Sequence, residues 1–259
     1  MDAAYQLQSP PTQALIIGAS RGIGCGFVQA LHQDHRVERI FCAMRDPDQP
    51  NALSSLMASE PERIVPLRID VTDEDSIAHA AQSLIDVDAS LDWVINTVGL
   101  LHDAHGIQPE RRLRDIDASN IQASFSVNSI GPILLAKHLT ALLPRRSPSI
   151  WATLSARVGS ITDNRLGGWY AYRAAKAAQN MLTKTLSIEL RRSHKQIRVV
   201  ALHPGTVATD LSAPFRGNVG KEQLFSVDQS VNYLLQVLDG LKDDDNGNFF
   251  AWDGQQIAW

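Results

Sequence analysis

The sequence is poor in the features that mark several common protein classes. Of its 259 residues only two are cysteines, Cys25 and Cys42, and both sit in apolar surroundings without ligand-like spacing. That excludes a disulfide scaffold and a cysteine-built metal site, and leaves two buried free thiols as the expectation. No apolar run approaches the length of a membrane span, and the N-terminus lacks the charged-then-apolar pattern of a secretory signal. A cytoplasmic protein with no membrane partner is therefore expected. Charge is sparse and nearly balanced, 20% of residues with a net of −4, so no nucleic-acid partner is implied. The small basic clusters Arg111, Arg112, Arg114 and Arg191, Arg192, Lys195 read as solvated helix faces. His102 and His105 lie close in sequence, but no further clustered His or Cys supports a metal. There is no internal repeat and no low-complexity tract.

Apolar content of 44% is ordinary for a globular chain, and the length suits one large α/β domain or two smaller ones. The residues 1–12 are polar and end in Pro10-Pro11, which reads as a loose arm. Ala14-Leu15-Ile16-Ile17 is a short apolar run, read as a buried parallel strand. Gly18-Ala19-Ser20-Arg21-Gly22-Ile23-Gly24 follows and opens an apolar helical pattern. A glycine-rich turn between strand and helix lets backbone approach a phosphate, and the helix start presents free N–H groups to it. A merely tight turn is the alternative. The spacing is GxxxGxG rather than GxGxxG.

Further strands are expected at 37–44, 64–69, 91–95, 149–155 and 197–202, with a seventh near Phe249–Gly254. Helices are expected at Asp73–Asp86 with Thr72 as cap, at about Ala118–Leu143, from the Tyr172 region onward, and at Val227–Leu238. Strands alternating with helices imply a single-domain, doubly wound parallel sheet of about seven strands with helices on both faces. Gly18, Arg45, Asp70, Asn96 and Gly99 then fall at the strands' carboxyl ends, where such sheets bind ligands. Arg45 at the end of the second strand, with Arg21 in the glycine turn, favours a 2′-phosphate and hence NADP(H) over NAD(H). Asp46 argues the other way. The stretch 211–226, with Pro214, Phe215, Gly217 and Gly220, is expected to form a flap over a pocket.

Tyr172 and Lys176 stand four residues apart at the start of an Ala-rich apolar run. On a helix they share a face, and a cation held there is expected to lower the phenol's pKa so that it trades a proton near neutrality. Such pairs also arise by chance on exposed helices. Pro132 lacks an N–H, so within a helix it would free the carbonyl of Asn128 to hold a water.

Taken in order, Gly18-x3-Gly22-x-Gly24, Asp70-Val71, Asn96-x2-Gly99, Asn128, Ser155, Tyr172-x3-Lys176 and Pro204-Gly205 resemble the short-chain dehydrogenase/reductase family over essentially the full length. Ser155–Asn164 and the Gly-Trp-Tyr-Ala-Tyr-Arg run are most similar to its carbonyl-reductase-like group, which includes the C-factor proteins.

The resemblance implies roles. Tyr172 would be the acid or base toward a carbonyl or alcohol oxygen, and Lys176 would lower its pKa and hold the nicotinamide ribose. Ser155 would polarise the substrate oxygen, and Asn128 would hold a water linking Lys176 to solvent. The implied cofactor-binding set is Gly18, Ser20, Arg21, Ile23, Gly24, Arg45, Asp70, Val71, Asn96, Val98, Gly99, Tyr172, Lys176, Pro204, Gly205, Val207 and Thr209. A small carbonyl or alcohol substrate, a homodimer or homotetramer and an NADP(H)-dependent oxidoreductase are implied with it. Leu100, Arg157, Ile161, Trp169, Leu211 and Phe215 are candidate pocket residues for a partly apolar substrate.

The chain departs from the family pattern at Ile17, Ala175 and, above all, Ala156, which stands where the family's serine is usually found, three residues before Gly159. A one-residue bulge would bring Ser155 into that role. Without it the site lacks its serine, and a nucleotide-binding regulatory protein of the C-factor type is the competing reading. An epimerase or dehydratase shares the Tyr-x3-Lys pair but needs a larger substrate domain than this chain offers.

Overall fold

The computed structural model describes residues 5–218, 220 and 223–259. Seven parallel strands form one sheet: β1 (Gln13–Ile17), β2 (Arg39–Met44), β3 (Ile64–Arg68), β4 (Trp93–Asn96), β5 (Ser149–Leu154), β6 (Ile197–His203) and, late in the chain, β9 (Phe249–Ala251). Their order is β3-β2-β1-β4-β5-β6-β9, which reverses direction between β1 and β4 and opens a crevice at the carboxyl ends there. A separate two-stranded ribbon pairs β7 (Thr206–Val207) with β8 (Leu224–Phe225) in parallel.

The strands are buried on both faces, as expected of parallel sheets. Ala14 and Ile16 face one layer with α1 (Gly22–His32) and α7 (Val227–Asp239), through Phe27, Val28, Leu31, Leu234 and Leu238. Leu15 and Ile17 alternate to the opposite layer. That layer holds α3 (Glu74–Asp86), α5 (Gly131–Leu139) and α6 (Tyr170–Ser193). Two further short helices are α2 (Ser54–Ser59) and α4 (Ala118–Phe125). Cys25 and Cys42 are both buried free thiols, and burial pushes the Cys42 thiol up to about 12.

The structure corrects three boundaries. The cap of α3 is Asp73, whose carboxylate accepts the N–H groups of Asp75 and Ser76 at 3.0 and 3.3 Å. Thr72 instead turns back to Asp70, donating both its N–H and its hydroxyl. The helix expected over Ala118–Leu143 is interrupted by a π turn at Ser126–Ile130, in which the Gly131 N–H bonds the Ser126 carbonyl five residues back. Pro132 then sits in the first turn of α5, which continues the winding of the π turn, and it has no N–H to give to a preceding carbonyl. The expected flap at 211–226 is represented by a short 3₁₀ turn at Ala213–Asn218 and by β8. Residues 219, 221 and 222 of it lie outside the described residues.

Candidate active site

The glycine turn closes β1 onto α1 and fits a phosphate. Gly18 has φ +88°, in the region that favours glycine. A Cβ on Gly24 would stand 2.2 Å from the Gly18 carbonyl oxygen, so no side chain fits there. The start of α1 has no side-chain cap and no acid in its first turn, leaving N–H groups for an anion. Across the crevice, Gly22 approaches Thr209, and Thr97 at the end of β4 lies against Gly18. Asn96 is 1% exposed and accepts the Val98 N–H, while its Nδ2 finds no partner among the described residues. A buried donor left over at the mouth of the crevice is what a dinucleotide's polar groups would satisfy.

Beyond the ends of β2 and β3 lies an open cavity of about 540 Å³ lined by Arg45, Leu67, Arg68, Asp70 and the first turns of α3. Arg68 pairs with Asp46 at 3.4 Å and Asp48 at 2.8 Å, so Asp46 is already engaged. No ion pair of Arg45 occurs among the described residues. Arg21 was expected to face the same phosphate; here its guanidinium bonds Asp210 at 3.2 Å across the crevice. Both partners are mostly exposed, so this pair contributes little and yields readily to a better anion. The Asp70 Oδ1 accepts the Thr72 N–H and hydroxyl, and Val71 is buried against Gly131. Ser20 and Ile23 remain half-buried in the turn. The Pro204 carbonyl accepts the Ser230 hydroxyl, Gly205 takes φ +79° against Phe225, and Val207 pairs with β8.

At the other end of the crevice stand Tyr172 and Lys176. Both are in the first two turns of α6 and both are buried, 8% and 2% exposed. The Lys176 Nζ lies 5.9 Å from the Tyr172 ring centroid. It donates to the Leu154 carbonyl at 2.9 Å and to Gln179 Oε1 at 2.8 Å. The expected lowering of the tyrosine pKa is not what the fold produces. Burial raises Tyr172 above the ordinary phenol range and pulls Lys176 down to about 7, because loss of water disfavours both charged forms. The phenol is thereby held protonated.

Asn128 is fully buried by the π turn and completes this end. Its Oδ1 accepts the Leu100 N–H at 2.9 Å, and its Nδ2 donates to the Leu100 carbonyl at 2.8 Å. A Cβ on Gly99 would meet Asn128 Oδ1 at 3.4 Å and Lys176 Nζ at 3.7 Å, which places these three residues together.

Ser155 follows the carboxyl end of β5 with its hydroxyl directed at α6. Its hydroxyl donates to Asn180 Oδ1 at 2.7 Å, in a pair that is buried on both sides. Asn180 is eight residues along α6 from Tyr172, about 12 Å on the helix axis. The ladder is regular as far as Ser155, whose N–H donates to the Leu202 carbonyl at 2.7 Å, and beyond it Arg157–Gly159 form a 3₁₀ turn. Ala156 is extended at φ −142° and ψ 145°, so its methyl points opposite to the Ser155 side chain.

The expected pocket residues are only partly assembled. Trp169 makes edge contacts with Tyr172 at 6.3 Å and with Phe215 at 5.1 Å, and Phe215 meets His102 at 5.7 Å. Leu100 lines a pocket with Tyr172. Ile161 is largely exposed, and Arg157 is paired with Asp163. Sequence reasoning missed Gln179, which stands three residues after Lys176 on the same helical face and holds its Nζ; that spacing was there to be used. It also missed Glu110, whose link to α6 has no sequence signal. No cluster of three or more candidate metal ligands exists among the described residues, and none of their helices is long and apolar enough to cross a membrane.

Comparison with known proteins agrees with this geometry. The family described as short chain dehydrogenase matches residues 12–219. The structure of NADPH-bound carbonyl reductase from chicken fatty liver superposes with a TM-score of 0.84 and 32% identity, covering 96% of this chain and 99% of that one. A Rhodococcus protein, 1-hydroxy-2-glutathionyl-2-methyl-3-butene dehydrogenase, is 29% identical across 95% of this chain and 98% of its own length. The C-signal of Myxococcus xanthus is 33% identical over 147 residues, 57% of this chain and 83% of its own length. Glycine turn, buried Tyr172–Lys176 pair and full-length likeness converge on one conclusion: this chain belongs to the short-chain dehydrogenase family and is an NAD(P)-dependent dehydrogenase or reductase.

Proposed function

We propose that the protein is an NADP(H)-dependent oxidoreductase that interconverts a ketone or aldehyde with an alcohol, with Tyr172 as the proton donor. The observation that carries this reading is the buried Tyr172 phenol one helical turn from the Lys176 Nζ, at the end of the crevice opposite the phosphate cradle. The nicotinamide group supplies or takes the hydride when bound. The chain supplies the rest. Gly18, Gly24 and the bare start of α1 receive the pyrophosphate, Asn96 and Gly99 the inner ribose side, and residues 204–209 the carboxamide side. Arg45 receives the 2′-phosphate, with Asp46 held off by Arg68.

At the reacting oxygen, Tyr172 Oη gives its proton as charge develops, and the burial that keeps it protonated suits the reductive direction. Lys176, tuned by burial to about 7, refills that proton. Its own supply runs past Asn128, whose side chain is fixed on Leu100 beside it. Ser155, engaged with Asn180, is left out of the reaction, so oxyanion stabilisation falls on Tyr172 alone. The family relatives act on a carbonyl or an alcohol by name, which supports the same substrate class here. A flap carried by Phe215, closing onto Trp169, and self-association through α4 to α6 belong to the same reading. The exposed Ile130, Met181 and Ile188 support the association.

Replacement of Tyr172 by Phe tests the proposal: NADPH consumption with any accepted aldehyde or ketone should fall to background while NADPH binding persists. Unchanged turnover would defeat it. The engagement of the Ser155 hydroxyl by Asn180 and the likeness to the C-signal favour a second reading, a nucleotide-binding regulatory protein with little catalysis. Protein that binds NADPH but consumes none across a broad carbonyl panel would decide for it.

A further inference from the structure

Residue Glu110 is a carboxylate from the long connection after β4, yet it is only 3% exposed. No cation pairs with it among the described residues. One carboxylate oxygen and the backbone carbonyl go instead to the start of α6, while the buried Oε1 finds no partner among the described residues. The Glu110 Oε2 accepts the Ala171 N–H at 3.1 Å, and the Glu110 backbone carbonyl accepts the Trp169 N–H at 2.6 Å. One residue thus holds both neighbours of Tyr170. Trp169 is in the left-handed region at φ 51°, which costs a non-glycine residue about 1 kcal/mol or more. Its side chain does not cap the helix, and the first turn of α6 contains no acid of its own. The free N–H groups of this helix start are therefore served from 61 residues away.

The connection that carries Glu110 is itself fastened at its other end, where Asn128 binds both backbone groups of Leu100. Residues 100–110 form a brace between the π turn and the start of α6. Glu110 and Tyr172 both line the same small pocket, of about 10 Å³, with Ser124 and Asn120.

We propose that Glu110 is a positioning residue: by capping α6 from outside, it fixes Trp169 and the first helical turn, and so sets where the Tyr172 hydroxyl stands. The proposal rests on the reading of Tyr172 as proton donor. Tyr172 is the third residue of its helix, where ends fray unless their N–H groups are held. A displacement of about 1 Å at such a group costs on the order of 100-fold in rate. A carboxylate at a helix N-terminus also meets the favourable end of the helix dipole.

The test uses the full chain and three variants. Glu110→Gln keeps an acceptor oxygen at the same reach, Glu110→Asp draws it back by one methylene, and Glu110→Leu removes it. With benzaldehyde and cyclohexanone as probes, Glu110→Leu should lower kcat about 10- to 100-fold with KM and the NADPH Kd within about three-fold. Glu110→Gln should stay within about three-fold of wild type. Amide hydrogen exchange is read in parallel: residues 169–176 should exchange at least about ten-fold faster in Glu110→Leu and not in Glu110→Gln, with 131–139 unchanged. If Glu110→Leu does not fold, Glu110→Asp carries the same expectation at smaller amplitude. Wild-type exchange at 169–176 in both Glu110→Leu and Glu110→Asp overturns the proposal, as does damage in Glu110→Gln equal to that in Glu110→Leu. The exchange arm needs no turnover, so it separates failure here from failure of the Tyr172 assignment, which is judged by Tyr172→Phe alone.

Discussion

Replacing Lys176 by Met should make the protein more stable and less active, with a pH dependence that identifies the cause. Lys176 is 2% exposed, and burial lowers its pKa from the ordinary 10.5 to about 7. A base with a lowered folded-state pKa binds its proton more readily in the unfolded chain. Between about pH 7 and 10.5 unfolding therefore takes up a proton, and stability rises with pH through that window. Below about pH 7 the folded state carries the whole penalty, about 5 kcal/mol. Methionine of similar length removes it. The exchange has a cost, because Gln179 Oε1 loses its donor, worth about 1–3 kcal/mol. The Leu154 carbonyl keeps the Gln179 Nε2 at 3.1 Å. The variant should thus be about 2–4 kcal/mol more stable than wild type near pH 6 and about 1–3 kcal/mol less stable near pH 10.5. Urea unfolding of both proteins without cofactor, at about pH 6, 8 and 10, reads the difference directly, since all other titrations cancel. A difference that does not change with pH, or a wild type that is the more stable at pH 6, would refute the reasoning.

Ala156→Ser puts a hydroxyl at the position three residues before Gly159 and should raise kcat of carbonyl reduction by about ten-fold or more, measured as NADPH oxidation. Ser155→Ala should leave kcat within about three-fold but lower stability by about 1–3 kcal/mol in urea unfolding, because Asn180 Oδ1 is left buried and unpaired. Arg45→Ala should weaken NADPH by about ten-fold or more while NADH binding stays within about two-fold, read by fluorescence titration. Gly24→Ala should abolish binding of both dinucleotides, because its methyl collides with the Gly18 carbonyl oxygen.

The sheet was legible because each buried parallel strand is a short apolar run closed by a turn residue at its carboxyl end, Gly18 after Ile17 and Asp70 after Ile69 being the clearest. The Tyr172–Lys176 spacing fixed one face of one helix, and helical periodicity guarantees that much. What spacing does not carry is solvent. The lysine was expected to tune the phenol as a cation, whereas enclosure by the rest of the fold sets both groups' directions. Ser155 shows a similar limit. Its residue type and strand end were right, but alternation along an extended chain turns it to Asn180 and leaves Ala156 on the other side. The Arg21–Asp210 pair and the Glu110 brace join residues 189 and 61 positions apart, and nothing local announces either.

The π turn at Ser126–Ile130 has a consequence for how this chain tolerates changes in length. It lets two consecutive residues both point inward, Asn128 to Leu100 and Ser129 to the Ala175 carbonyl at 2.7 Å. Losing one residue there would restore regular winding and rotate everything upstream by about 100° relative to α5. Asn128 and Ser129 could not then both keep their partners. The neighbouring bend at residues 103–107 makes mostly local bonds to Asp103 and has no such phase to preserve. A deletion in that bend should therefore draw in the brace to Glu110 without changing a helical phase, and be milder than one in the π turn, although both sites lie in the same link between β4 and β5.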